Sequence, residues 1–174
     1  MTDLLNAYHD NLLNMKYVHL EGWVDENMRD IVTNTLNEEW EVTFYLNSNG
    51  GRSQFARQIV DIINKDKVRI TLIATHEISS AAFRIFFFSK CKRDILDDTE
   101  WLAHMGQIDV RMNWNWHISS TENWRVREMK KEEKVQEKLL ESLGVSKRNR
   151  KLFLKWYDIY FTTKQLRKML SKSI

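Results

Sequence analysis

The sequence predicts an α/β fold, and three observations carry the prediction. From the start of the chain to "EWLAH", segments with apolar residues at helical spacing alternate with runs rich in β-branched and aromatic residues. The strand-like runs between the helices are nearly continuous in apolar side chains, the pattern of parallel strands covered on both faces. Beyond that point a strand of strict period two leads into a long, charge-rich helix.

Taken in order, Leu4, Leu5, Tyr8, Leu12 and Leu13 predict a helix over residues 2–14, and "KYVHLEG" a short strand stopped by Gly22. Asp25 is placed to cap a second helix, whose apolar positions are Met28, Ile31, Val32 and Leu36, and "WEVTFYLN" follows as a strand. The turn "SNGG" precedes a third helix, with Phe55, Ala56, Ile59, Val60 and Ile63 on one face, and then the strand "VRITLIAT". A buried helix follows the two serines of "THEISSAAFRIFFF". In "VRMNWNWHI", Val110, Met112, Trp114, Trp116 and Ile118 share one side, and a helix from about Glu122 to Leu143 comes next. Gly144 ends that helix, Ser146 caps another running through "KLFLKWYDIY", and Thr162 or Thr163 caps the last, "KQLRKML".

With 174 residues and 43% hydrophobic content, the chain suits one domain, residues 1–174, with a core of its own. A net charge of +3, from 27 basic and 24 acidic residues, is far from the basic stripe that tracks phosphates, so nucleic acid is not an expected partner. The single cysteine, Cys91, excludes an internal disulfide, and "MTDLLNAYHD" lacks the features of a signal peptide, so a cytoplasmic protein is expected. The longest apolar run, "IFFF", is too short for a membrane span. No cofactor or metal is expected.

Chemistry is suggested where "ISSAAF" meets the glycine pair of "YLNSNGG". A serine before an aliphatic helix either caps it or attacks from it, and the residues alone leave Ser79 and Ser80 equivalent. Two glycines after a strand can turn backbone N–H groups toward an oxygen, or simply make a turn. His104 ends the strand "EWLAH", one helix and two strands beyond the serines, and so returns to the same end of a parallel sheet; His76 is its rival as a base. Asp158, a lone acid among Trp156, Tyr157, Ile159 and Tyr160, is the candidate to orient the histidine.

In this order, "HLEGWVDENM", "YLNSNGG", "ISSAAF", "WLAH" and "DIYFTT" resemble the proteolytic subunit of the Clp protease, a serine peptidase of crotonase-like fold. The resemblance implies a repeated β-β-α superhelical core with a strand-helix handle at about residues 106–143. It implies a serine endopeptidase acting on extended or unfolded polypeptide, with Ser79 as nucleophile, His104 as base, Asp158 as orienting acid, and an oxyanion hole from the N–H groups of Gly51 and Ser80. Asn49 stands where the family usually has proline, and Ser80 and Ala81 replace its usual methionine and glycine. The alternative is a non-catalytic relative serving as a structural subunit of a Clp-type complex. A crotonase-type acyl-CoA enzyme would need an acidic pair beside the glycine loop, which the sequence does not offer. The Trp114 and Trp116 face calls for a cover, either the following helix or another subunit; the resemblance implies the second, a ring-based homo-oligomer interlocking through the handle. The chain begins too late to contain the family's N-terminal axial loop, which leaves docking of a Clp ATPase an open expectation.

Overall fold

The computed structural model describes residues 15–38, 41–96, 98–103, 120–153 and 159–170. Two compact units are formed, the first by residues up to Leu102 together with Tyr160–Lys164, the second by Ala103–Ile159 with Gln165–Ile174. The expected helix over residues 2–14 and the strand around Trp114 and Trp116 lie outside the described residues.

In the first unit the order is β1 (Met15–Val24), α1 (Glu26–Glu38), β2 (Glu41–Gly51), α2 (Ser53–Lys65), β3 (Arg69–Ser79), α3 (Ala81–Phe88), β4 (Lys92–Ile95) and β5 (Glu100–Ala103). Strands β1, β2 and β3 lie side by side in parallel, and β4 and β5 both join the far edge of β3 in parallel. Each crossover therefore advances the sheet in the same direction. A right-handed hand for every crossover puts α1, α2 and α3 on one face, as the packing of α1 on β1, of α2 between its two neighbours, and of α3 on β2 and β3 confirms. The result is a superhelix of strand–helix repeats with its helices on one side.

The helices bury the faces that their periodicity dictates. Asp25 caps α1 by accepting the Met28 N–H at 3.1 Å, and Met28, Val32 and Leu36 point into the core. On α2 the buried residues are Phe55, Ala56, Ile59, Val60 and Ile63. Helix α3 is buried along nearly its whole length, from Ala81 to Phe87. Its rings form the centre of the core: Phe83 lies 4.5 Å from Phe87, Phe86 meets Trp101 edge-on at 5.0 Å, and Phe161 stacks on Phe83 at 5.7 Å. The opposite face of β1 and β2 departs from the expectation of double cover. There, Tyr17 is exposed and His19 stacks on Tyr45 at 5.1 Å. Same-handed crossovers supply helices to one side only.

Two further expectations are corrected at the strand ends. Gly22 does not stop β1; with φ +82° it lies at a bulge where it alone faces two residues of β2, Ser48 and Asn49. Nor is "SNGG" a free turn, since β2 continues through Gly51. Strand β3 also outruns the expected "VRITLIAT", reaching Ser79 after a second irregularity in which three of its residues, Thr75 to Glu77, lie opposite the single Asn47 of β2.

The described part of the second unit is helical apart from Ala103 and Ile159, which belong to strands. Helix α4 (Ser120–Ser142) ends in a Schellman turn: Gly144 has φ +74°, its N–H donates to Glu141 O, and the Val145 N–H donates to Leu140 O, both at 2.9 Å. Leu140 and Val145 are both buried, the apolar contact that accompanies this motif. Ser146 then caps α5 (Lys147–Phe153) through the Asn149 N–H at 3.3 Å. The expected continuation of that helix through Tyr160 is not found; Ile159–Phe161 is a strand, β6, at the edge of the sheet next to β5. A β-branched and two aromatic residues suit a pleated edge, and pairing there outweighs local helical spacing. The last helix, α6 (Thr163–Leu170), follows Thr162.

Truncating Phe86, fully buried and in ring contact with both Phe87 and Trp101, tests whether this cluster is the core. Phe86→Ala is expected to lower stability by about 3–5 kcal/mol in urea titration. A loss below about 1 kcal/mol would show that the cluster is dispensable.

Candidate active site

The candidate site is built where β2 and β3 end. Ser48, buried at the end of β2, accepts the Gly50 N–H on its hydroxyl at 3.1 Å, a side-chain bond that curls the strand inward. Gly50 has φ +102° and Gly51 φ +153°, which side-chain-bearing residues rarely adopt. Each also has a steric need for glycine. A Cβ on Gly51 would collide with the Val24 backbone of β1, which is held close by the Arg52 N–H donating to Val24 O at 2.9 Å. A Cβ on Gly50 would lie 2.5 Å from Ser80 Cβ and 3.0 Å from Ser80 Oγ. The glycine pair is thus the surface against which the end of β3 is pressed.

On β3 the chain is bent before it reaches the serines. His76, at φ +51°, and Ser80, at φ +53°, are the two residues other than glycine with positive φ among the described residues. Between them the Glu77 N–H donates to Asn47 Oδ1 at 3.2 Å, a side chain standing in for a carbonyl that the irregular register has carried away. Glu77 Oε1 in turn accepts the Ser79 hydroxyl at 2.9 Å. Ser79 is still a strand residue, paired with Leu102 of β5 and 4% exposed. Ser80 is the junction: it holds the N-cap position of α3 with φ 53° and ψ −117°, makes no side-chain cap bond to the helix, and donates its N–H to Leu102 O at 3.0 Å.

These contacts bear directly on the residues named from sequence. Gly51 and Ser80 lie in the glycine loop and the turn that faces it. The Ser80 N–H, expected as an oxyanion donor, is used by the sheet, because β5 runs beside the end of β3 and presents the Leu102 carbonyl to it. The capping role considered for the turn serines is not used at Ser80, whose backbone leaves β3 in a conformation outside the ordinary N-cap region. His104 and Asp158 lie outside the described residues. His76, the rival base, is exposed on the bend.

Sequence reasoning missed Glu77 and Asn47, and the close approach of Ser80 to Gly50. Glu77 had a signal: two residues before Ser79 on a strand, it projects to the same side, so a carboxylate–hydroxyl contact follows from period two. Cys91 is not a competing nucleophile, since burial pushes its thiol up to about 11 and leaves almost no thiolate at neutral pH.

No protein-family model matches the chain, and no curated protein matches it by sequence. Solved structures do match. ClpP1 from Listeria monocytogenes aligns with a TM-score of 0.65 at 17% identity, over 95% of this chain and 91% of that one. A point mutant of ClpP1 from the same organism aligns with a TM-score of 0.68 at 19% identity, over 93% and 91%. The chain therefore has a ClpP-like fold, mixed α/β with a mostly parallel sheet. No helix of the described residues is long and apolar enough to cross a membrane.

Two measurements check the local chemistry. Gly50→Ala forces a Cβ against Ser80 at an unfavourable φ, and is expected to cost of order 1–3 kcal/mol of stability in urea titration. A fully stable Gly50→Ala protein would show that the close approach to Ser80 carries no strain. For Cys91, iodoacetamide at pH 8 should react about a hundredfold more slowly with the native than with the urea-unfolded protein, the ratio set by two units of pKa. The unfolded thiol loses its proton near its ordinary value of 9.0 while the native thiol keeps it to about 11, so stability should fall across that window as pH rises.

Proposed function

We propose that the chain is the subunit of a serine endopeptidase that hydrolyses extended or unfolded polypeptide through a Ser-His-Asp triad. The observation that supports this most is the strained β3–α3 junction pressed against the glycine pair of β2, within a fold like that of ClpP1. Acyl transfer needs a hydroxyl on a sharp turn beside fixed backbone donors. A serine of the turn, Ser79 by motif register, attacks the scissile carbonyl. His104 takes its proton and passes it to the leaving amine, and Asp158 holds the histidine tautomer and stabilises the imidazolium. The Gly51 N–H, with the N–H that follows the nucleophile, receives the oxyanion. Substrate lies as an added strand beside the segment after Gly51, so main-chain pairing gives affinity with little sequence preference. The subunits assemble in a ring through the handle, with the Trp114 and Trp116 face buried between copies, and a Clp-type ATPase is the partner class to test.

The second reading, a non-catalytic structural subunit, is favoured by two contacts, Ser79 Oγ to Glu77 and the Ser80 N–H to Leu102 O. Both engage groups that a triad centred on Ser79 would need.

A fluorophosphonate probe separates the two. The peptidase should label covalently, and changing both turn serines to alanine should abolish labelling and peptide hydrolysis. His104→Ala and Asp158→Asn should each lower kcat/KM by of order 10⁴-fold or more, without adding to the serine loss. Unlabelled native protein would leave the structural reading standing. Assembly is tested by sedimentation: the unmodified protein should run as a ring at micromolar concentration, and changing Trp114 and Trp116 together to serine should split it. A monomeric native protein would remove the ring from the proposal.

A further inference from the structure

If the peptidase reading holds, the geometry of the turn assigns the attacking hydroxyl differently from the motif register, and we infer that Ser80, not Ser79, is the nucleophile. Four observations converge on this residue. Ser79 belongs to β3, paired with Leu102, and is 4% exposed. Its hydroxyl proton is directed to Glu77 Oε1 at 2.9 Å. Ser80 is less buried and forms the corner itself, with φ 53° and ψ −117°. A residue other than glycine is held in that region at a cost of order 1–3 kcal/mol, which a plain helix cap does not require. A strained strand-to-helix corner directs the side chain of its corner residue toward the glycine loop, and here that residue is Ser80.

The glycine loop agrees with this choice. The atoms nearest to an added Cβ on Gly50 are Ser80 Cβ at 2.5 Å, the Ser79 carbonyl oxygen at 2.9 Å and Ser80 Oγ at 3.0 Å. The missing side chain at Gly50 thus makes room for the side chain of Ser80, while Ser79 presents only its main chain there.

Oxyanion donors follow the same shift. With Ser79 as nucleophile, the next N–H is that of Ser80, which donates to Leu102 O. With Ser80 as nucleophile, the next N–H is that of Ala81, the first residue of α3, whose N–H has no acceptor within the helix. The bond to Leu102 then has a different part: it holds the corner in place. In the reaction, Ser80 Oγ bonds to the carbonyl carbon as its proton goes to the base. The C–N bond breaks as the base returns that proton to the amine, and water then cleaves the ester, giving the carboxylic acid and the Ser80 hydroxyl.

The test is to label the full-length protein with a fluorophosphonate and locate the phosphonyl group by fragmentation of the peptide that carries both serines. The expected site is Ser80. Ser79→Ala should still label at Ser80, at a rate within about tenfold of the native protein, whereas Ser80→Ala should lose labelling and at least a thousandfold in kcat/KM. Ser80→Cys guards against a folding defect: with native stability, it should become sensitive to iodoacetamide at position 80, while Cys91 stays protected. Label on Ser79, or a Ser80→Ala protein that labels normally, would overturn this inference and leave the peptidase reading intact. Native protein that takes no label would overturn the peptidase reading, and this inference with it.

Discussion

Everything at the candidate site depends on β3 having more residues than β2 has to pair with. Between Ala74 and Ile78 the strand must fit three residues, Thr75 to Glu77, beside the single Asn47 of β2, and it does so by turning His76 to positive φ. The bend changes the partners on its far edge: Thr71–Ala74 pair with β4, while Glu77–Ser79 pair with β5. Thr99 closes the gap between these two strands, its hydroxyl lying 2.8 Å from Leu96 O and 3.2 Å from Ala74 O. Without the extra residues β3 would run straight past the glycine loop. With them, its end is delivered to Gly50 at a spacing that tolerates no Cβ.

A corner under strain persists only if its surroundings hold it. On the helix side the support is apolar: α3 is buried to Phe87, and its rings pack on Trp101 of β5, the strand whose Leu102 carbonyl accepts the Ser80 N–H. On the sheet side it is polar, through Asn47 and Ser48 of β2 and Glu77 of β3. The burial of a few aromatic side chains, each worth several kcal/mol, exceeds the strain of two residues at positive φ. Core packing and site geometry are therefore linked through β5, which serves both.

The fold was legible in sequence because its repeats follow simple periods. The apolar face of α2, the Asp25 and Ser146 caps and the Gly144 stop each rest on residues within a turn of one another, and each was found where expected. Irregularities were not legible, because they arise between strands distant in sequence. Gly22 looks like a stop unless β2 lies alongside to absorb a bulge, and "SNGG" looks like a turn unless β1 continues beside it. The segment Ile159–Phe161 reads as helix until a sheet edge is offered to it. At the site, the quoted motifs fall on the β3–α3 junction and the glycine pair that faces it, but two adjacent serines are interchangeable on paper. Only the backbone angles of Ser80 and the bond from Ser79 to Glu77 distinguish them.

The return of Tyr160–Lys164 to the first unit has a consequence for how the protein comes to be folded. Phe161 stacks on Phe83, and the Thr163 hydroxyl donates to Thr99 O at 2.9 Å, contacts that join positions far apart in the chain. During synthesis the first unit can gather its helices on β1–β3 early, but its outer edge stays unpaired and Phe83 lacks its stacking partner Phe161 until everything up to residue 164 has left the ribosome. Closure is thus a late, high-contact-order step, and the half-made chain exposes an open strand edge and an aromatic surface to its neighbours in the interval.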